Sequence, residues 1–322
     1  MTSVIFRRRF FLVISILFFA ANVFSESEDE LKKRILSGAD LAGQSMDELL
    51  AADDEADEKK SDKVERRLPS TFERDVPYTA DEITFMDLYY NHGISSVAQR
   101  RKLHESAIES SQKFQDEYAR LVHLARAEYY YGIACIETFD LASFENLKDV
   151  ENKSDVSENV NAGAAFDKAI EYAKAALKIR EGSDAYAIYS HAISANCTAK
   201  SWSYILGNAL KVRSYGRKAV NLDYSNGLAH FLAVAQDIYA PWPIGKIRAG
   251  RKKMIDILND KYIRVEKQER LLISAAIGYS YFKQKKWSNA IEWYNKALEV
   301  YPYNFSAHQM LGTINRRKDG GK

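Results

Sequence analysis

Turn-forming and cross-linking residues are scarce in this chain: two cysteines, five prolines and fifteen glycines among 322 residues. Two thiols cannot frame a disulfide-rich scaffold or complete a four-cysteine zinc site. With so few prolines and glycines, the many tight turns of an all-β sandwich have little to form them. Catalytic signatures are missing as well. The six histidines, His92, His104, His123, His191, His230 and His308, include no HExxH and no other pair at zinc-ligand spacing. No Gly-x-Ser-x-Gly elbow presents a nucleophile. Residues 38–45 have the glycine spacing of a phosphate loop, but Gln44 stands where lysine is required, in an acidic setting that repels phosphate. Ser110 and Lys113 have a serine–lysine spacing without the companion motifs that would make it a site. The expectation is a protein that is not an enzyme and uses neither cofactor nor metal.

A strong net charge is absent too. The formal balance is +2, too modest to point to nucleic acid as a partner. It hides three unlike segments. Residues 1–25 carry Arg7, Arg8 and Arg9 and no acid, followed by an apolar run from Phe10 to Phe24 that only Ser15 and Asn22 interrupt. That order reads as a signal peptide. A helix of this run rises about 22 Å, short of the ~30 Å hydrocarbon core, and an uncleaved anchor that keeps the body near a membrane stays open. Either version exports the remainder from the cytoplasm. Residues 26–66 hold 14 acids and 7 bases, with few bulky apolar side chains. An acidic, largely disordered leader is expected over 26–78, serving as a spacer or a docking peptide. Residues 67–322 hold 36 bases and 30 acids, and the folded domain is expected at 79–318.

What the chain has in quantity is helical periodicity. Apolar residues recurring at three and four positions predict helices at about 80–92, 95–113, 115–138, 165–180, 184–199, 202–222, 226–239, 246–258, 266–284, 287–300 and 304–317. The fold class is therefore all-α, with the polar stretch 140–164 read as an exposed insertion. Small residues recur in a fixed pattern near the end. Counting from Leu271 to Asn304, Gly278 takes the eighth place, Tyr281 the eleventh and Ala290 the twentieth. Tyr294, Ala297 and Pro302 take the twenty-fourth, twenty-seventh and thirty-second. Gly312 lies 34 residues after Gly278 and belongs to a partial unit over 305–318. Lys218-Ala219-Val220, Asn226, Ala229 and His230 recur 78 residues later as Lys296-Ala297-Leu298, Asn304, Ala307 and His308. The two histidines thus read as packing residues rather than ligands.

Three further features bear on function. Cys135 and Cys197 fall on different predicted helices and are either a disulfide or two buried thiols. Lys246, Arg248, Arg251, Lys252 and Lys253 form a basic cluster, a solvated face or a contact for an acidic partner or the acidic leader. Tyr129, Tyr130 and Tyr131 are consecutive and point about 100° apart on a helix, so they cannot share one core, and some aromatic bulk is expected at a groove or interface.

The 34-residue pattern at 271–304 resembles the tetratricopeptide repeat, a helix–turn–helix unit with small residues where its helices touch. Over residues 115–315 the chain is similar to the tetratricopeptide family that includes the T component of spirochaetal TRAP transporters. It resembles, more distantly, the regulators of microtubule dynamics. The likeness is carried by the Ala119–Cys135 helix with Tyr130-Tyr131-Gly132, by the Ala169, Ala173 and Ala176 helix, by the Pro241-Trp242-Pro243 turn and by the terminal repeat. It implies a right-handed superhelix of α-hairpins whose concave side is lined by the first helix of each pair. Carried onto this sequence, that lining is Leu272, Tyr279, Phe282 and Lys283 in the last unit. In the earlier one it is Leu228, Phe231, Ile238 and Tyr239, with Trp242 nearby. These residues either form a groove for a partner or pack against a neighbouring helix. The implied function is an exported scaffold for protein–protein interaction. The alternative is an accessory component of a TRAP-type transporter, docking a periplasmic solute-binding protein or taking an apolar ligand.

Overall fold

The computed structural model describes residues 74–91, 97–136, 156–200, 202–240 and 245–319. Eleven helices occur among them: α1 (Ala80–Tyr90), α2 (Val97–Gln112), α3 (Glu117–Ile136), α4 (Val156–Ile179), α5 (Ser183–Ala199), α6 (Trp202–Leu222), α7 (Gly227–Tyr239), α8 (Ile247–Asn259), α9 (Lys267–Lys283), α10 (Trp287–Val300) and α11 (Phe305–Asp319). No strand is present among the described residues, where one isolated backbone bridge joins Asn226 to Arg264. Nor is any described helix long and apolar enough to cross a membrane. The signal segment at 1–25 lies outside the described residues.

Every helix packs against its neighbours in sequence. Beyond these neighbours, α3 touches α5, α5 touches α7 and α7 touches α9. Odd-numbered helices from α3 to α9 therefore stand side by side in one row, each backed by the helix that follows it. This is the expected stack of α-hairpins, all-α in class.

Small side chains set the spacing within the hairpins. A Cβ on Gly278 of α9 would stand 3.0 Å from the Tyr294 ring of α10. On α6, a Cβ at Gly216 would lie 2.7 Å from the backbone nitrogen of Ala233 in α7, which cannot swing aside. Ala290, Tyr294 and Ala297 are wholly buried on α10, as are Ala169, Ala173 and Ala176 on α4. Tyr281 is half-buried, and Pro302 is exposed in the turn before α11. Gly312 holds its repeat position, yet only its own helix's Arg316 side chain comes near, at 3.6 Å.

The 78-residue likeness is a likeness of helix starts. The side chain of Asn226 accepts from Ala229 N–H at 3.1 Å, and that of Asn304 accepts from Ala307 N–H at the same distance. Such caps satisfy amides that the helix itself leaves open. His230 Nε2 bonds the Tyr224 carbonyl at 2.8 Å, and His308 Nε2 bonds the Pro302 carbonyl at 2.8 Å. Both histidines therefore close the turn before a helix, the packing role expected of them.

Three expectations need correction. The insertion read over 140–164 ends earlier, because α4 begins at Val156 and Ala162 is fully buried. Residues 137–155 lie outside the described residues. The disordered leader placed to residue 78 also ends earlier, since residues 74–78 are folded onto the body and Val76 is 1% exposed. Finally, Tyr129 and Tyr130 are both buried, and only Tyr131 is half-buried, stacked on His104 at 4.1 Å. Helix α3 has helices on several sides, α1, α2, α4 and α5, so more than one of its faces is core.

Candidate interaction site

The residues assigned to a groove are mostly interior. Leu228, Phe231, Ile238, Tyr239, Leu272 and Tyr279 are 1–5% exposed and belong to the main hydrophobic cluster, with the Tyr239 and Tyr279 rings 5.4 Å apart. Of the two possibilities, these six take the packing role and do not line an open groove. Phe282 is half-buried and Lys283 exposed. Trp242 lies outside the described residues.

The chain itself occupies much of the inner row. Residues 74–91 run across helices far away in sequence. Phe85 meets the Tyr130 ring of α3 edge-on at 6.3 Å, and Tyr90 lies 5.4 Å from Tyr301 at the end of α10. Asn304, which caps α11, donates to the Tyr90 carbonyl at 3.0 Å, and the Tyr301 hydroxyl donates to Asp87 at 2.9 Å. Helix α1 thus joins the first hairpin to the last.

Ahead of it, residues 74–78 are fixed by charge. The Val76 amide donates to Asp184 at 2.8 Å, and Arg126 donates to the Val76 carbonyl at 2.9 Å. Arg126 pairs with Asp184 at 3.2 Å, and Arg74 lies 3.4 Å from Asp184 and 3.2 Å from Glu266. Both guanidinium groups lie over the Tyr78 ring, at 4.5 Å for Arg74 and 4.2 Å for Arg126. Glu82 caps α1 through Thr79 and also meets His123 at 3.0 Å. Burial pushes the Glu269 carboxyl up to about 7, against the downward pull of Arg74. Ion pairs this deep hold only because each charge finds partners. Arg74, Arg126, Asp184 and Glu269 were not singled out from the sequence. Their contacts with residues 74–82 span more than forty residues, beyond the reach of any local pattern.

A different arrangement stands at the other end of α9. There Arg251 of α8 lies over the Tyr281 ring at 4.1 Å and donates to Gln284 at 3.0 Å. Arg317 of α11 lies over the Phe282 ring at 4.9 Å, and Phe282 meets Trp287 edge-on at 5.7 Å. Lys252, Lys283, Lys285, Lys286, Arg316 and Lys318 are exposed around these rings. Among the predicted basic cluster, Lys253 is held by Asp237 at 3.4 Å. The result is a basic surface with half-buried aromatic side chains in it.

Cys135 and Cys197 are not joined in a disulfide, the pairing the sequence left open, and burial pushes the Cys197 thiol up to about 12. His191, buried against the Tyr129 hydroxyl at 2.7 Å, is pushed down to about 3 and stays neutral. Among the described residues, no group of three or more metal-binding side chains gathers.

Comparison with known proteins gives one finding. No curated protein and no solved structure matches the chain. The family model of the tetratricopeptide repeat matches residues 275–304, from the middle of α9 through its turn and α10 to the cap of α11, so the chain carries a tetratricopeptide repeat where its small-residue pattern placed one.

Proposed function

We propose that this protein is a non-enzymatic scaffold, exported to a bacterial envelope, that holds another protein on the surface of its last repeats. The observation that carries this reading is the tetratricopeptide repeat at 275–304, whose family is built for protein contacts, with its α9–α10 turn open to solvent. Export rests on the basic and apolar order of residues 1–25. The narrower alternative is an accessory component of a TRAP-type transporter that docks a solute-binding protein. It would draw on the apolar residues of α7 and α9 for a ligand, yet Leu228, Phe231, Ile238 and Leu272 are engaged in packing. The scaffold reading is the one adopted.

Chemical cross-linking of the full chain in its native host, followed by mass spectrometry, tests it. The expected result is one discrete protein joined to lysines within residues 246–318. If the chain is present at its normal level and no protein is joined to it reproducibly, the scaffold reading is wrong. Identification of that protein as a solute-binding subunit would instead establish the transporter alternative.

A further inference from the structure

We infer that the surface formed by the start of α8, the end of α9 and the end of α11 docks an acidic segment of a partner protein, one that carries a bulky apolar anchor. This rests on the scaffold reading and names its surface and partner chemistry.

Charge is the first observation. Residues 246–253, 283–286 and 316–318 contain eleven bases and no acid, although the body as a whole is close to balanced. Three separate stretches of chain supply them. The contacts of Arg251 with Tyr281 and Gln284, and of Arg317 with Phe282, bring those stretches to one place. The surface is therefore a product of the fold and not a run in the sequence.

Local preferences are overridden there, which is the second observation. Bases near the ends of α9 and α11 complement the negative ends of those helices and need no other reason. Arg248 has no such reason. It lies in the positive first turn of α8, which contains no acid. In the turn after α9, Lys285 has φ of 57°, the left-handed region where glycine is free and a lysine is not. The turn keeps its closing bonds, Lys285 N–H to Phe282 and Lys286 N–H to Tyr281, at 2.9 and 3.0 Å. Two departures from local preference thus meet on one surface, and both add positive charge. Such departures collect where a protein binds.

The aromatic side chains narrow the class of partner. Phe282 and Trp287 are half-buried between the bases, with Arg317 leaning over Phe282. Single-stranded nucleic acid also stacks its bases on aromatic rings among cations, but the export read from residues 1–25 and the modest net charge favour a protein. An acidic protein segment with one aromatic or aliphatic residue fits: carboxylates meet the lysines and arginines, and the anchor packs on the rings.

A labelled peptide of aspartate and glutamate around one central phenylalanine is the probe, measured by fluorescence polarisation against the full chain. The comparison arms are the same peptide with alanine at its centre, vesicles of phosphatidylglycerol and phosphatidylcholine, and a single-stranded oligonucleotide. The phenylalanine peptide should bind more tightly than the alanine peptide. Its affinity should fall about tenfold or more in a Lys252→Glu, Lys286→Glu, Arg317→Glu chain, because exposed charges steer and hold an oppositely charged partner. Phe282→Ala should remove the difference between the two peptides. Circular dichroism must show the variants as helical as the parent. Equal binding by parent and charge-reversed chain overturns the inference, as does stronger binding of vesicles or oligonucleotide than of the peptide. The cross-linking experiment separates the two levels. A host protein that is still joined to the charge-reversed chain leaves the scaffold reading standing and this surface refuted.

Discussion

Arginine lies over aromatic rings at both ends of α9, and the two ends do opposite things with it. At its start, Arg74 and Arg126 flank Tyr78 and are locked to Asp184, Glu266 and Glu82, with side chains of Arg74 and Arg126 only 6% and 3% exposed. At its finish, Arg251 and Arg317 cover Tyr281 and Phe282, the surrounding bases are exposed, and the segments that supply them contain no acid. Stacking geometry is common to both. What differs is whether carboxylates of the same chain pair with the stacked arginines. Where they do, the charges close the fold; where they do not, the positive field faces outward and is available to another molecule.

The sharpest way to break this contrast is to orphan the buried end. Asp184 accepts from the Val76 amide and pairs with both Arg74 and Arg126, so Asp184→Ala takes one buried partner from each guanidinium and leaves the amide without its acceptor. The expected loss is about 3–5 kcal/mol of folding free energy, the usual cost of removing one partner from a buried ionic pair. Urea unfolding followed by circular dichroism measures it. An unchanged midpoint would mean that residues 74–78 are not held as described.

A smaller effect should appear as a pH dependence. Glu269 is fully buried, faces Arg74 and Glu266, and titrates near 7 in the fold against an ordinary 4.5. Between those two values the folded chain binds more proton at this site than the unfolded chain does. Stability from this group is therefore fully present below about pH 4.5 and is lost as pH rises through 7, by on the order of 2 kcal/mol. His191 acts oppositely, since a neutral buried imidazole costs stability as pH falls from 6.5 towards 3. The clean measurement is the difference between parent and Glu269→Gln at pH 5 and pH 7. Relative to the parent, the glutamine chain should gain stability on going to pH 7, and a difference independent of pH would refute the assignment.

Much of the architecture was legible because its causes are local. Helix after helix could be placed from apolar recurrence, and the caps at Asn226 and Asn304 repeat because a cap needs only residues three positions apart. Helix α4 starts earlier than apolar recurrence predicts for a local reason as well: Ser157, Glu158, Asn159 and Asn161 give its first turns a mostly polar sequence. The site was less legible. Repeat position says which face of a helix looks along the inner row, but not whether another part of the chain covers it. Residues 74–91 lie far from α5 and α9 in sequence, so nothing near Asp184 or Glu269 announces them. The same distance hides the meeting of Arg251 with Tyr281 and of Arg317 with Phe282, visible in sequence only as three basic stretches without an evident connection.

The two ends can finally be compared by reversing one arginine at the open one. Arg317→Glu alters a side chain that is exposed and in none of the ion pairs described at the closed end. It forfeits one stack on Phe282 and a favourable charge near the end of α11, together worth no more than about 1 kcal/mol. Melting of the full chain should therefore shift little, while binding of the acidic peptide falls. If Arg317→Glu destabilised the fold as severely as Asp184→Ala, both ends of α9 would be structural clamps, and the difference between a closed and an open arginine would disappear.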